Sequence, residues 1–257
     1  MGRINNSIVK LKSQIAACTR IFTVEGILDY SGHVSARLPD NSGFLVQSKH
    51  SSRAELTPDD LYTLDFAGNI VNGPTNGNSF PIDELFIHSE IYKTRADVNS
   101  ILHAHPEVSI IFTVTEGAEL VMVRNHGYRW RNGVPIHPDN AHINTSQLGR
   151  ELVKTLGDCN AALIRAHGII IVAEDIPSLL IDGVHFIDNA HTLLEVLKLG
   201  RPKPMTDSEL DIFEQRLSRP SHAIKLWKYY TGRARKDGII PQDWDAEAHV
   251  IQKGRAK

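Results

Sequence analysis

Two imidazoles separated by one residue, His103-Ala104-His105, close an apolar run, Val98-Asn99-Ser100-Ile101-Leu102. On a β-strand, residues i and i+2 point to the same face, roughly 6 to 7 Å apart, so two neutral rings can converge on one metal ion. The chain has 13 histidines, and chance spacing also produces such pairs. Two further residues give the pair weight. Glu84 stands in Pro81-Ile82-Asp83-Glu84-Leu85-Phe86-Ile87-His88, and His167 in Arg165-Ala166-His167-Gly168, read as a histidine closing the apolar strand that begins at Ala161. Three imidazoles and a carboxylate suit a borderline divalent ion such as zinc, manganese or cobalt, and the dominance of nitrogen argues against calcium. An ion held this way is a Lewis acid, able to stabilise negative charge that develops on a substrate oxygen.

The surrounding pattern must place these groups. Ile8, Leu11, Ile15, Ala16, Ile21 and Phe22 recur at near-helical spacing and predict a first amphipathic helix over 6–23. Strands are expected at His33–Leu38, Gly43–Gln47, Leu61–Phe66 and Ile70–Val71, divided by turns rich in Gly, Asn, Asp and Pro. Thr57-Pro58-Asp59-Asp60 reads as a capped helical turn. A helix over Asp83–Arg95 puts Glu84 in its first turn, and the two histidines follow on a strand. Helices are expected at Thr145–Leu156, Ile176–Leu199 and Asp207–Gly232, and two strands bent around Gly168 at Ala161–Ala173. Strands alternating with helices, with no Pro/Gly-rich linker, predict one layered α/β domain over 1–257, with a core at about 10–200 and a helical extension at about 205–257.

A hydrophobic content of 41% supports a buried core, and a net charge of −2 gives no basic field for nucleic acid. Arg233, Arg235 and Lys236 read as a solvated helix face. Cys18 and Cys159 are too few for a disulfide framework. Neither a signal peptide nor an apolar span is visible, so no membrane partner is expected and a reducing, cytoplasmic setting is the simplest expectation.

Taken in order, Ser31-Gly32-His33-Val34-Ser35-Ala36-Arg37, Leu56-Thr57-Pro58-Asp59-Asp60-Leu61, Glu84 with His88, Ile91-Tyr92, Arg95-Ala96-Asp97, His103-Ala104-His105-Pro106 and Ala166-His167-Gly168 resemble the class II aldolase/adducin family from about residue 10 to residue 200. The resemblance implies a mainly antiparallel central sheet between helical layers, an L-fuculose-1-phosphate aldolase-like fold. It further implies a divalent metal (Zn, Mn or Co) on His103, His105 and His167 with Glu84 as the carboxylate beside it, and a homotetramer with active sites at subunit contacts. Glutamate at that position can also move protons in the sugar-phosphate aldolases. Adducin-like members without catalysis lack parts of this set, and all four positions are occupied here.

Departures from the pattern bear on the substrate. Phosphate-binding aldolases carry Ser-Ser before the glutamate, whereas this chain has Ile82-Asp83; a carboxylate there repels phosphate and isoleucine offers no donor. Gly32-His33 replaces Gly-Asn. Gly32-His33-Val34-Ser35, followed by Glu84-Leu85-Phe86-Ile87-His88 and Ile91-Tyr92, is most similar to the decarboxylase-like branch, which includes enzymes of dihydroxyphthalate and pyridine dicarboxylate. The expected activity is thus a metal-dependent carbon–carbon lyase, a decarboxylase of a hydroxylated aromatic or other hydroxy/keto acid. An aldolase or epimerase acting on a sugar or sugar phosphate and a non-catalytic adducin-like module are the alternatives. His33 is a candidate for binding the substrate carboxylate or delivering a proton, against a loop histidine without function. Ser48, Lys49, Ser51 and Arg53 offer donors and charge to a small anionic substrate, against a solvated loop. Arg124 and His126, with Asn125 and Tyr128, are read as a site wall. His88 is read as a packed helix residue, and His137, His142, His185 and His191 as structural, without convergent partners.

Overall fold

A computed structural model describes residues 2–74, 80–244 and 246–247; the end of the expected C-terminal extension, 248–257, lies outside them. The elements in order are α1 (Gly2–Val24), β1 (His33–Arg37), β2 (Phe44–Gln47), β3 (Leu61–Leu64), β4 (Ile70–Asn72), α2 (Leu85–Thr94), β5 (Ser100–Ala104) and α3 (Glu107–Val114). There follow β6 (Ile136–His137), α4 (Ser146–Leu156), β7 (Ala161–Ile164), β8 (Gly168–Ala173), α5 (Ile176–Leu199), α6 (Asp207–Arg216) and α7 (Arg219–Lys236). The strands form one eight-stranded sheet in the order β4-β3-β2-β1-β5-β8-β7-β6. Among the described residues every pairing is antiparallel except β6 with β7, so the mainly antiparallel sheet between helical layers expected from the sequence is present.

Alternation along the strands divides the core between the two faces. Val34, Ala36, Leu45, Leu102, Ala104, Ile169 and Ile171 pack with Ile15 and Phe22 of α1, Phe112 of α3 and Leu179 and Leu180 of α5. Phe44, Val46, Ile101, Ile170 and Val172 pack with Ile87 and Ile91 of α2 and Leu152 and Leu156 of α4. Period two then puts His33, Ser35 and His103 on this second face, under α2. The three are buried, and polar groups buried there must find partners among themselves or on α2.

Several boundaries differ from the sequence expectation. Glu84 is the residue before α2 rather than part of its first turn, with φ −88° and ψ 31°. His105 lies just past the end of β5, and Pro106 immediately precedes α3. The bend between β7 and β8 is made by Ala166, at φ 52°, not by Gly168. His167 sits in that turn rather than closing a strand, its N–H donating to the Ile164 carbonyl at 3.1 Å. The C-terminal helix is two helices, interrupted at Leu217-Ser218 because Pro220 can only stand in the first turn of a new helix. The basic cluster on α7 is engaged rather than simply solvated: Arg233 pairs with Glu25, and Arg235 donates to the Trp244 carbonyl at 3.2 Å. Among the described residues no helix is long and apolar enough to cross a membrane.

Candidate metal centre

Pairing of β1 with β5 sets His33 directly opposite His103. Two glycines let the backbone close around this point. A Cβ on Gly168 would stand 2.3 Å from the Ala104 carbonyl oxygen and 2.9 Å from the His105 ring, so only glycine permits β8 to start beside the two histidines. A Cβ on Gly32, at φ 79°, would meet the His103 carbonyl at 2.7 Å.

The four residues singled out in the sequence converge. Donor atoms of Glu84, His103, His105 and His167 lie within 4.8 Å of one another. His103 Nε2 is 3.0 Å from His105 Nε2 and 3.3 Å from Glu84 Oε2, and His167 Nε2 is 3.8 Å from Glu84 Oε1. Ligands at bond lengths of about 2.1 Å around a tetrahedral ion are spaced by about 3.4 Å, the middle of this range. The His103 Nδ1–H donates to the Ile169 carbonyl at 3.0 Å, which fixes Nε2 as the atom that faces the cluster and would give its lone pair to an ion in place of a proton. Burial, then the neighbouring histidines, push His105 down to about 3 and His167 to about 4, so both rings are neutral near pH 7 and able to ligate. Burial pushes the Glu84 carboxyl up, but hydrogen bonding and charge from His103 and His33 outweigh it and hold the group well below the ordinary carboxylate range. The Ile143 N–H donates to Glu84 Oε1 at 3.0 Å. Three neutral nitrogens and one carboxylate at this spacing fit a borderline divalent ion.

His33 belongs to the same centre, its Nε2 3.8 Å from Glu84 Oε2. Behind it runs a buried polar chain that residue-by-residue inspection misses. His33 Nδ1 is 2.7 Å from His88 Nε2, His88 Nδ1 is 2.6 Å from Ser35 Oγ, and Ser35 Oγ is 2.7 Å from the Tyr92 hydroxyl. His88 is therefore more than a packing residue. Its signal was present: Glu84, His88 and Tyr92 are spaced by four, and His33 and Ser35 by two, the periods that align side chains on a helix face and a strand face. His142 also has a partner, its ring centroid lying 5.7 Å from that of His167.

The loop after β2 is engaged in other contacts. Lys49 pairs with Asp83 at 2.6 Å, so the carboxylate expected to repel phosphate already faces a cation. Arg53 is buried and donates to the carbonyls of Gly32, Lys49 and Ser51, bracing the loop against the residue before His33. Ser51 donates to Asp60 at 3.0 Å, and Ser48 bridges to Pro81. Arg124 and His126 are not among the groups gathered at Glu84. Arg124 pairs with Asp188 at 3.1 Å, and His126 joins His185 and His222, so the expectation that His185 lacks convergent partners is also corrected.

With this geometry in view, comparison with known proteins is decisive for the family: residues 13–193 match the Class II Aldolase and Adducin N-terminal domain. The chain belongs to that family. Over 77% of its length it is 26% identical to a 3,4-dihydroxyphthalate decarboxylase of Arthrobacter keyseri, covering 84% of that protein. Over 65% of its length it is 29% identical to a methylthioribulose-1-phosphate dehydratase of Geobacillus sp. strain WCH70, covering 79% of it. Among solved structures, an aldolase II superfamily protein from Pseudomonas syringae superposes with a TM-score of 0.78 at 20% identity, over 92% of this chain and 95% of the other, a likeness of fold. This class II aldolase-family chain thus has relatives named for decarboxylation and for dehydration.

Proposed function

We propose that this protein is a metal-dependent carbon–carbon lyase that decarboxylates a small anionic substrate, a hydroxylated aromatic acid or another hydroxy/keto acid. The observation that carries this reading is the convergence of Glu84, His103, His105 and His167 at ligand spacing, with His33 on the same carboxylate. Glu84, His103, His105 and His167 would hold zinc, manganese or cobalt. Such an ion, when bound, supplies Lewis acidity toward a substrate hydroxyl or carbonyl oxygen.

The remaining work falls to the chain. In decarboxylation the bond to the carboxyl carbon breaks, carbon dioxide leaves, and the electron pair stays on the substrate, where a proton must replace the lost group. Burial pushes His33 down to about 4, so near pH 7 its neutral ring faces the centre with Nε2–H, placed to hydrogen-bond the departing carboxylate or to relay to the substrate carbon a proton taken up from solvent. Lys49 and Arg53 supply positive charge around the loop beside it. Similarity to a decarboxylase over 77% of the chain supports this chemistry above aldol cleavage; similarity to a sugar-phosphate dehydratase keeps phosphorylated substrates in the test set. Assembly as a homotetramer with sites at subunit contacts and a cytoplasmic location are part of the same reading, and light scattering tests the first.

The deciding experiment screens carboxylated catechols, hydroxy acids and sugar phosphates with added manganese, zinc and cobalt. Carbon dioxide release that is abolished by chelation and by His103→Ala is the expected result. Aldehyde release without carbon dioxide would replace decarboxylation by aldol cleavage, and a chain that cannot be loaded with metal would mark a non-catalytic module.

A further inference from the structure

A second group of histidines stands apart from the Glu84 cluster, where the C-terminal helices meet the core. His126 lies in the segment between α3 and β6, His185 on α5 and His222 on α7. His185 Nε2 and His222 Nε2 face each other at 3.2 Å, the His126 ring stacks on His185 with centroids 3.7 Å apart, and one ring nitrogen from each of the three lies within 4.8 Å of the other two. Phe213 of α6 is edge-on to His126 at 5.0 Å. Nδ1 of His185 is buried with no hydrogen-bond partner among the described residues, so the polar contact of this ring is the one its Nε2 makes to His222.

Charge around the three rings is balanced. Arg124 pairs with Asp188, and Arg129 and Arg219 are both committed to Glu174 and Asp182, so the nearby guanidinium charges are countered. Burial, reinforced by the neighbouring rings and Arg124, pushes His126 down to about 4 and His185 to about 3. Both therefore offer lone pairs near pH 7, the state a metal requires.

We propose that His126, His185 and His222 form a second site for a borderline transition-metal ion, of which zinc is the first candidate, and that this ion pins α7 and the 123–131 segment to α5. The rings are nearly parallel, at interplanar angles of 4°, 16° and 18°, so one ion shared by all three requires His126 to turn about its terminal torsion. That ring is only partly buried, and terminal torsions of this type are broad. Three imidazoles leave a fourth position for water, and drawing the ligands from three separate elements makes binding a contribution to folding as well. The site uses no residue of the Glu84 cluster and stands whether or not that cluster is catalytic.

The test uses the full chain with His105→Ala and His167→Ala, which removes two donors of the first centre while leaving the core residue His103 in place. Stripped with chelator and dialysed against zinc, this double variant should retain one zinc by elemental analysis and gain thermal stability from it. Adding His222→Asn should abolish both the retained zinc and the zinc-dependent rise in Tm. A double variant that binds no zinc overturns the proposal, as does a triple variant that binds as much as the double, since the 3.2 Å contact is then only a hydrogen bond between two rings. The wild-type chain should hold two zincs and the double variant one, so the loss at the first centre reads as the difference between the two counts.

Discussion

His88 Nε2 lies 2.7 Å from His33 Nδ1, and this contact determines which nitrogen of His33 faces Glu84 with a proton. Glu84 is ionised and can only accept, so His33 presents Nε2–H to it and Nδ1 becomes an acceptor. His88 must then donate from Nε2 and accept at Nδ1 from the Ser35 hydroxyl, which in turn accepts from Tyr92. Every donor points toward the carboxylate. Burial pushes the Tyr92 hydroxyl well above its ordinary range, so the chain does not begin with a releasable proton. It positions His33 and does not supply it.

His88→Leu removes the acceptor of the Ser35 O–H and the donor to His33 Nδ1 in the interior, while Ser35 keeps its contact with Tyr92. The expected result is a fall in kcat of about 100-fold, the low end for a displaced acid or base, with metal content unchanged. His88→Gln, which retains a donor and an acceptor, should recover part of it. Steady-state kinetics beside elemental analysis checks this; an unaltered kcat in His88→Leu removes the positioning role.

Gly168→Ala tests the closeness of β8 to the paired histidines. The added methyl would stand 2.3 Å from a backbone oxygen of β5, which cannot swing aside as a side chain can. A loss of about 1 to 3 kcal/mol is expected from the overpacking, together with weaker metal binding because His105 must move. Denaturant unfolding and metal titration measure the two effects, and tight metal binding at full stability would contradict the geometry.

Much of this arrangement was legible because local chemistry agrees with it. α5 runs from Ile176 to Leu199 as its periodicity predicts, since Asp175 caps it by accepting from the Ser178 N–H at 2.8 Å, Pro177 suits its first turn, and Gly200 follows its last residue. Glu84, His103, His105 and His167 were found through residue type and family order. What escaped depends on neighbours distant in the chain: His185 is paired by a residue 37 positions away, and no periodicity reports such a meeting. His88 escaped for another reason. Its spacing from Glu84 was visible, but its partners lie on β1, and only sheet register joins the two.

Asp182 of α5 is buried and accepts from Arg129 at 3.0 Å and from Arg219 at 2.8 Å, while Glu174 binds the same two arginines. Burial pushes both carboxyls up, and the two guanidinium groups outweigh it and leave both lowered. A depressed folded-state value means that the unfolded chain takes up protons first. The stabilisation is present above the unfolded range near about 4 and is lost as pH falls through the folded values. Asp182→Asn, which leaves two arginines under-paired, should cost about 3 to 5 kcal/mol at pH 7 and flatten the loss of stability in acid. Denaturant midpoints at pH 7 and pH 3 decide it; equal acid slopes in the two proteins would show that the network does not carry the dependence.

Lys49 and Asp83 form an ion pair whose side chains are 43% and 55% exposed, so its direct value to folding is about 1 kcal/mol at most. Its position beside Glu84 in sequence gives it a different weight in binding. Lys49→Met leaves the Asp83 charge unopposed next to an incoming anion, and a loss of about 1.4 kcal/mol in binding corresponds to a tenfold rise in KM. Asp83→Ser should do the reverse, freeing Lys49 and widening acceptance toward phosphorylated acids. In both variants Tm should stay near that of the parent, because the pair contributes little to the folded state. KM values for a carboxylate and a phosphate substrate, read beside Tm, separate the effects: an unchanged KM in Lys49→Met would mean that the pair only staples the loop after β2 to the segment before α2.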